Sequence, residues 1–414
     1  MNDAPAMAST RHRITTSASV VESYFAAFGA GDLDGALALM TEDVIWHVDG
    51  AVSVSTVGLL RGREHVRRWL EGFPQNFEPL VLAIDRLFES GDEVMAVGRF
   101  RHTVLATSRT VGSDLAIRFT VRDGQIARYQ ILEDSLLLAR AFDPDDRWDI
   151  HQVRVNGAAY AYSDRGEGPV VVFAHGLFVD HTIFDAQVAD LETAYRCINL
   201  DMPGHGRSGY RKAGWTLDDV ADDLALMIEE QSLGPVAFVG QSQGGMIGIR
   251  IAARRPELVS KLVLVGTSAR AEDSERLAAW HALRHTILVG SEAEREAAFV
   301  SVQKRVNSSS WLDGEAALAA RERAVMLSHD RAGVTLALDA AVIQREDARA
   351  LLPNITAPTL VICGDVDRAT PIERSREIAS SIPRARIEVL QGVGHHPPLE
   401  AAQKVAAALR GFLA

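Results

Sequence analysis

Three segments of this chain of 414 residues hold side chains suited to nucleophilic catalysis. The first is GQSQGG, Gly240 to Gly245, which follows the apolar run VAFV and precedes the helix-like stretch MIGIRIAARR. Gly-x-Ser-x-Gly is the pattern of a strand-to-helix turn so tight that neighbouring Cβ atoms would collide. Gly240 and Gly244 remove those atoms and leave the Ser242 hydroxyl above the turn. A helix starting beside the serine offers free N–H groups and a dipole that favours negative charge. The second segment, GDVDRATP, supplies Asp365 and Asp367; the third, GHHPPLE, supplies His395 and His396. Serine, acid and histidine in that chain order suit acyl transfer. The imidazole takes the serine proton, the carboxylate orients the imidazole, and backbone amides hold the developing oxyanion. Spacing alone leaves the choice open within each pair.

These segments need a frame that brings their ends together. From about residue 151 the chain shows short, continuously apolar runs: PVVVFAHG, CINLD, VAFVG, KLVLVG, PTLVICG and RIEVL. Such runs are expected of parallel strands buried on both faces. Helical segments separate them, which predicts a doubly wound, mostly parallel α/β sheet, with HQVRVNGAAYAYSD as a leading hairpin turned at Asn156-Gly157. Chemistry collects at the carboxyl ends of such strands, and each candidate segment follows one. Residues 269–341 interrupt the alternation with helical, Ala-, Arg- and Glu-rich sequence, expected as an insertion over the sheet.

The first part of the chain has another rhythm. Val21, Tyr24, Phe25 and Phe28 recur at helical spacing, a short helix follows from Asp32, and GREHVRRWLEGF predicts a third. Alternating segments with turns at Ser90-Gly91 and Asp123-Gly124 follow, so residues 16–142 are expected to form a smaller α+β domain. Residues 1–15 are expected to be disordered or extended. The charged, proline-containing stretch from Asp143 marks a linker over 143–150, before a second domain at 151–414.

A net charge of -12 argues against a phosphate-backbone partner, and no nucleic acid is expected. No stretch reaches membrane-span length and the N-terminus lacks a signal-peptide core, so the expectation is a cytoplasmic chain with no membrane partner. Cys197 and Cys363 end apolar runs and read as core thiols.

From Val153 onward the chain resembles the α/β-hydrolase family. HGLFVDHTIF is similar to its oxyanion loop, DMPGHGRSG to its Asp-x-x-Gly-x-Gly-x-Ser segment, and GQSQGG, GDVDRATP and GHHPPLE to its elbow, acid and histidine segments. The resemblance implies Ser242 as nucleophile, Asp367 as the orienting acid and His395 as base, with Asp365 and His396 as runners-up. It implies an oxyanion hole from the Leu177 and Gln243 amides, and a helical cap at 269–341. Serine, where epoxide- and halide-processing relatives carry Asp, implies acyl chemistry on a carboxyl ester or lactone of a small, mainly apolar metabolite. Thioester, amide and C–C cleavage remain alternatives, as does a ligand-sensing protein. Phe178, Phe184, Trp280, His281, His285 and Trp311 are expected around the pocket. His281 and His285 have metal-like spacing but lack the usual glutamate, and neither metal nor cofactor is expected.

Residues 16–142 resemble the SnoaL-like, or ketosteroid-isomerase-like, family, through YFAAFGAGDLDGALALMTEDVIWHV and VRDGQIARYQILEDS. That implies a cone-shaped pocket faced by Trp46, His47, Arg99, Arg101, His102, Tyr129 and Asp134. The expectation is a domain whose own active site is lost and which serves a homodimer or shapes the hydrolase entrance; isomerase or cyclase chemistry there is the alternative.

Overall fold

The computed structural model describes residues 16–51, 54–144 and 150–414. The expected extended stretch 1–15 and residues 145–149 of the expected linker lie outside the described residues. The chain divides into two compact units, Met1–Trp148 and Asp149–Ala414.

The first unit opens with helix Ser17–Gly29, whose N-cap Thr16 accepts from the Ser19 amide and whose inner face buries Val20, Val21 and Tyr24. Helix Leu33–Ala38 follows, capped by Asp32. Helix Arg63–Gly72 buries Val66 and Leu70. Six strands, β1 Met40–Val48, β2 Gly58–Arg61, β3 Phe77–Ser90, β4 Glu93–Val104, β5 Arg109–Arg122 and β6 Gln125–Leu132, make one sheet. Its order is β2-β1-β6-β5-β4-β3. β3 to β6 form the expected antiparallel meander. β1 pairs with β6 in parallel, a crossover that local turn signals do not reveal. Register shifts in β3 bend the sheet, and a Cβ on Gly98 of β4 would meet the Ala83 carbonyl oxygen at 2.0 Å.

The second unit is a doubly wound α/β domain. Its strands are β7 Ile150–Val155, β8 Ala158–Arg165, β9 Val170–Ala174, β10 Arg196–Leu200, β11 Val236–Gln241, β12 Val259–Val265, β13 Thr359–Gly364 and β14 Ala385–Leu390. They order as β14-β13-β12-β11-β9-β10-β8-β7. The strands from β14 to β10 are parallel, and β7 and β8 form the antiparallel hairpin. β11 and β13 are buried along their whole length, as continuous apolar runs require. β14 departs from that expectation: it is an edge strand and leaves Arg386, Ile387 and other residues partly open. Cys197 and Cys363 are buried, free thiols.

After β9 the chain passes to β10 on one side and then returns to β11 on the other. That reversal opens a crevice at the carboxyl ends of β9 and β11. The insertion supplies helices Ser274–Val289, Glu292–Val306, Ser309–Gly314, Ala316–Ser328 and Arg331–Leu338. Among the described residues no helix is long and apolar enough to cross a membrane.

The crevice depends on missing Cβ atoms. A Cβ on Gly244 would sit 2.0 Å from the Ala174 carbonyl oxygen, and one on Gly240 would sit 2.4 Å from the Gly244 carbonyl. Neither obstacle is a flexible side chain. G244A is therefore expected to lower stability by about 3 kcal/mol. Gly411, in helix Ala402–Leu413, faces open space, so G411A is expected to raise it by a few tenths to about 1 kcal/mol. Thermal unfolding of the two variants beside the wild type checks both signs.

Candidate active site

Ser242 sits between β11 and helix Gln243–Arg254 with φ 51° and ψ -114°. This left-handed backbone costs a non-glycine residue roughly 1–3 kcal/mol and survives only where its surroundings hold it. Here they do. The Ser242 amide donates to Val265 O (2.9 Å), and Ser242 O accepts from Thr267 Oγ1 (2.6 Å) and the Met246 amide (3.0 Å). Thr267 also fills the space that a Cβ on Gly245 would need.

The acid follows β13. Asp367 is almost fully buried and binds His395 Nδ1 through Oδ2 at 2.8 Å. Its remaining capacity takes the Ala369 amide (2.8 Å), the Thr370 amide (2.9 Å) and the Thr370 hydroxyl (2.8 Å). Burial pushes this carboxyl upward. The charge and hydrogen bond of His395, with the Thr370 donors, outweigh that and hold it below the usual carboxylate range. Because the carboxylate accepts a hydrogen bond from Nδ1–H, Nε2 is left as the basic nitrogen. Ser242, Leu177, Gln243, Thr370 and His395 line one cavity of about 70 Å³. Among the described residues no hydrogen bond joins the Ser242 hydroxyl to His395. Such contacts are often loose without substrate and tighten when it binds.

The loop after β9 is held by three imidazoles. His175 Nε2 accepts from the Met202 amide (2.8 Å) while its Nδ1 donates to Gly176 O (2.6 Å). His205 Nε2 accepts from the Phe178 amide (3.1 Å) and its Nδ1 donates to Pro203 O (3.1 Å). His329, from the insertion, accepts from the Gly206 amide (3.2 Å) and donates to Phe178 O (3.0 Å). Their rings meet edge to face, with centroids 5.1 and 5.0 Å apart. Each ring uses one nitrogen as donor and the other as acceptor, which only a neutral imidazole can do. Burial drives His175 down to about 4 and His205 well below its ordinary value. This clamp uses the Gly176 carbonyl and both polar groups of Phe178, whose φ is 72°. The Leu177 amide stays unpaired among the described residues. The first-turn amides of helix Gln243–Arg254 are likewise without partners along the chain.

The runners-up have other occupations. Asp365 accepts the Gly392 amide at 2.6 Å and is exposed. His396 is buried against Glu322 of helix Ala316–Ser328, with Nδ1 and Oε1 2.6 Å apart. Gln303 and Asn307 complete the Glu322 carboxylate at 2.7 Å each. Burial disfavours charge on both partners, yet their attraction holds Glu322 low and His396 high, so the pair is ionic. It fastens the insertion beside His395.

Of the six side chains expected around the pocket, Phe178 and Trp280 line the cavity. The others do not. Phe184 packs into the sheet core against Phe173. His281 and His285 lie on the exposed face of helix Ser274–Val289, because Trp280, Leu283 and Ile287 take its inner stripe. Trp311 is buried away from the cavity. Thr370, Gln241, His205 and His329 escaped the sequence reading. Gln241 donates to His395 O (3.0 Å) and so ties the histidine loop to the serine turn. Its place inside the Gly-x-Ser pattern was the available signal.

Two further groups bear on ligands. The ligand atoms of Asp180, His181 and Asp201 lie within 4.8 Å of one another, close enough to share an ion. Asp201 is already engaged by the His181 amide (2.9 Å) and ring (2.8 Å) and by the Arg207 amide (2.9 Å), which suits a turn brace. In the first unit an aromatic cavity of about 430 Å³ is lined by Trp46, Trp69, Phe100, His102, Tyr129 and Glu133 among others. Asp134 is a helix N-cap, accepting from the Leu137 amide. Its neighbour Glu133 lines the cavity, and burial pushes its carboxyl up to about 7. His47 pairs with Asp49, and Arg99 with Asp85.

A family model for the alpha/beta hydrolase fold matches residues 169–402, and one for the SnoaL-like domain matches residues 21–129. The chain is similar to a putative carbamate hydrolase, RutD, of Yersinia enterocolitica: 31% identity over 227 residues, covering 54% of this chain and 80% of that protein. It is similar to a pimeloyl-[acyl-carrier protein] methyl ester esterase of Chromobacterium violaceum: 32% identity over 253 residues, covering 60% and 95%. Among solved structures it is similar to the enol-lactonase of Burkholderia xenovorans LB400, with TM-score 0.58 and 28% identity, covering 64% and 99%.

The neutral histidine clamp has a sign in pH. An unfolded histidine binds its proton near 6.5, whereas His175 stays neutral until about 4. Between those values the unfolded state holds more protons, so stability falls as pH falls. His175 and the neighbouring imidazoles together carry that loss. Thermal unfolding of the second unit between pH 7 and 4 is expected to show this slope, and H175N to start lower and flatten it.

Proposed function

This chain belongs to the alpha/beta hydrolase fold family, and on that premise we propose that it is a serine hydrolase of carboxyl esters or lactones. The observation that carries the reading is the 2.8 Å bond between buried Asp367 and His395, whose imidazole shares a cavity with Ser242. The names of the similar carbamate hydrolase, methyl ester esterase and enol-lactonase agree with acyl chemistry.

In this mechanism the substrate carbonyl lies over Ser242, its oxygen towards the Leu177 and Gln243 amides. His395 Nε2 takes the hydroxyl proton as Oγ bonds to the carbonyl carbon. Asp367 stabilises the imidazolium that results. The tetrahedral oxyanion is held by amides that the fold has left free and fixed in place, so little reorganisation is needed. His395 then protonates the departing alcohol, and the acyl group remains on Ser242. Water, deprotonated by the same imidazole, releases the acid and restores the serine.

A second reading concerns the first unit, where the aromatic cavity and Glu133 favour a binding site for a flat apolar ligand. Glu133 is protonated below about 7 and can donate a hydrogen bond there. Affinity for 2-acetylnaphthalene, whose carbonyl can only accept a hydrogen bond, followed by tryptophan fluorescence, is expected to weaken as pH rises through about 7, and E133Q to flatten that dependence. An unchanged profile in E133Q contradicts it.

For the hydrolase, initial rates on short-chain methyl esters separate the roles. S242A is expected to lose at least about 10⁴-fold in kcat, and D367N about 10²–10⁴-fold with KM little changed. Wild-type rates in S242A would refute the proposal.

A further inference from the structure

The expected pocket is mainly apolar, and one wall is: Leu177, Phe178, Met246, Trp280 and Val302 line it. The same lining is also cationic. Arg276, Arg345 and Arg374 line the same cavity, with Glu272 as the one carboxylate among its lining residues. Arg374 is neutralised by Asp273, at 2.8 and 2.9 Å. Arg276 and Arg345 share Glu272, at 3.2 and 3.6 Å. One carboxylate therefore faces two guanidiniums. The nearby Glu377 is taken by Arg270, at 2.8 Å through both oxygens.

The surplus charge is not in free solvent. The Arg345 side chain is 7% exposed and that of Glu272 8%. Arg276 Nε is buried with no hydrogen-bond partner. Burial, only partly offset by Glu272, draws the Arg345 guanidinium down to about 10. Arg305, which has no described ion pair, adds repulsion on Arg276. A buried cation without a full counter-charge costs free energy that an anionic ligand recovers.

The cluster also lies beside the reacting groups. Arg345 Nη1 is 3.6 Å from Met246 Sδ, and Met246 stands one helical turn beyond Ser242. Arg276 Nη1 donates to Ala369 O at 3.3 Å, on the loop where the Ala369 amide binds Asp367.

We propose that this arginine cluster binds a carboxylate of the substrate, so that the preferred esters are hemiesters or lactones carrying a second, ionised carboxyl group. The proposal rests on the hydrolase reading for the word substrate, but the anion site can be tested without turnover. Arg276 and Arg345 are specificity residues: they hold the far end of the molecule while the carbonyl meets Ser242.

The test uses the full chain with monomethyl glutarate and its uncharged analogue of similar length, methyl pentanoate. Wild-type kcat/KM is expected to favour the hemiester at least tenfold, mainly through KM. R276Q is expected to cut that preference tenfold or more. E272Q, which removes the competing carboxylate, is expected to raise it; circular dichroism checks that both fold. Calorimetry on S242A reads binding alone, and S242A/R276Q should lose the tighter binding of the hemiester. Equal affinity of S242A for the two esters, or equal losses on both in R276Q, overturns this inference and leaves the hydrolase reading standing. Hydrolysis that survives in S242A overturns the hydrolase reading and leaves the anion site to the calorimetry.

Discussion

One backbone conformation organises the second unit: Ser242 at φ 51° and ψ -114°. It turns the chain from β11 into helix Gln243–Arg254 within one residue, and the positions two residues to either side, Gly240 and Gly244, carry no Cβ. Three consecutive demands follow. Gly240, Gly244 and Gly245 give up their Cβ atoms to Gly244, Ala174 and Thr267. Thr267 spends its hydroxyl on Ser242 O, and Gln241 reaches across to the backbone of His395. The strain is thus offset by the hydrogen bonds that Ser242 donates to Val265 O and accepts from Thr267 Oγ1, while Gln241 donates to His395 O and ties the turn to the histidine loop.

The polar groups around that turn are nearly all committed. Three neutral imidazoles absorb the carbonyl of Gly176 and both polar groups of Phe178, leaving the Leu177 amide free. His329 comes from the insertion, and the His396–Glu322 pair joins the insertion to the loop that carries His395. Glu400 adds a third tie, accepting the Ser308 and Gly394 amides at 2.9 Å each. The insertion is therefore part of the site's scaffold as well as its roof. Its Arg276, with Arg345, adds positive charge to the lining of the cavity that Ser242 also lines.

Much of this was legible in the chain. Continuous apolar runs give buried parallel strands because both faces of such strands are covered, and the six runs became β9 to β14. Glycines around Ser242 announced the tight turn. Asp367 and Asp365 look alike in sequence; burial and the three donors from Ala369 and Thr370 distinguish them. His281 and His285 pointed outward because one helix has one inner stripe, and Trp280, Leu283 and Ile287 occupied it. Asp134 and Glu133 differ by a single position, which decides between capping a helix and facing a cavity. The charge surplus at Arg276 and Arg345 was hidden because it is a property of pairing: only tertiary contacts reveal that Glu272 serves both.

The central claim is that the Ser242 hydroxyl becomes acylated. Incubation with a fluorophosphonate, followed by peptide mapping in a mass spectrometer, tests it most directly. The account predicts one adduct, on the peptide containing Ser242, with labelling abolished when His395 is replaced by Ala. An unmodified Ser242 under conditions where the protein still hydrolyses esters would contradict it.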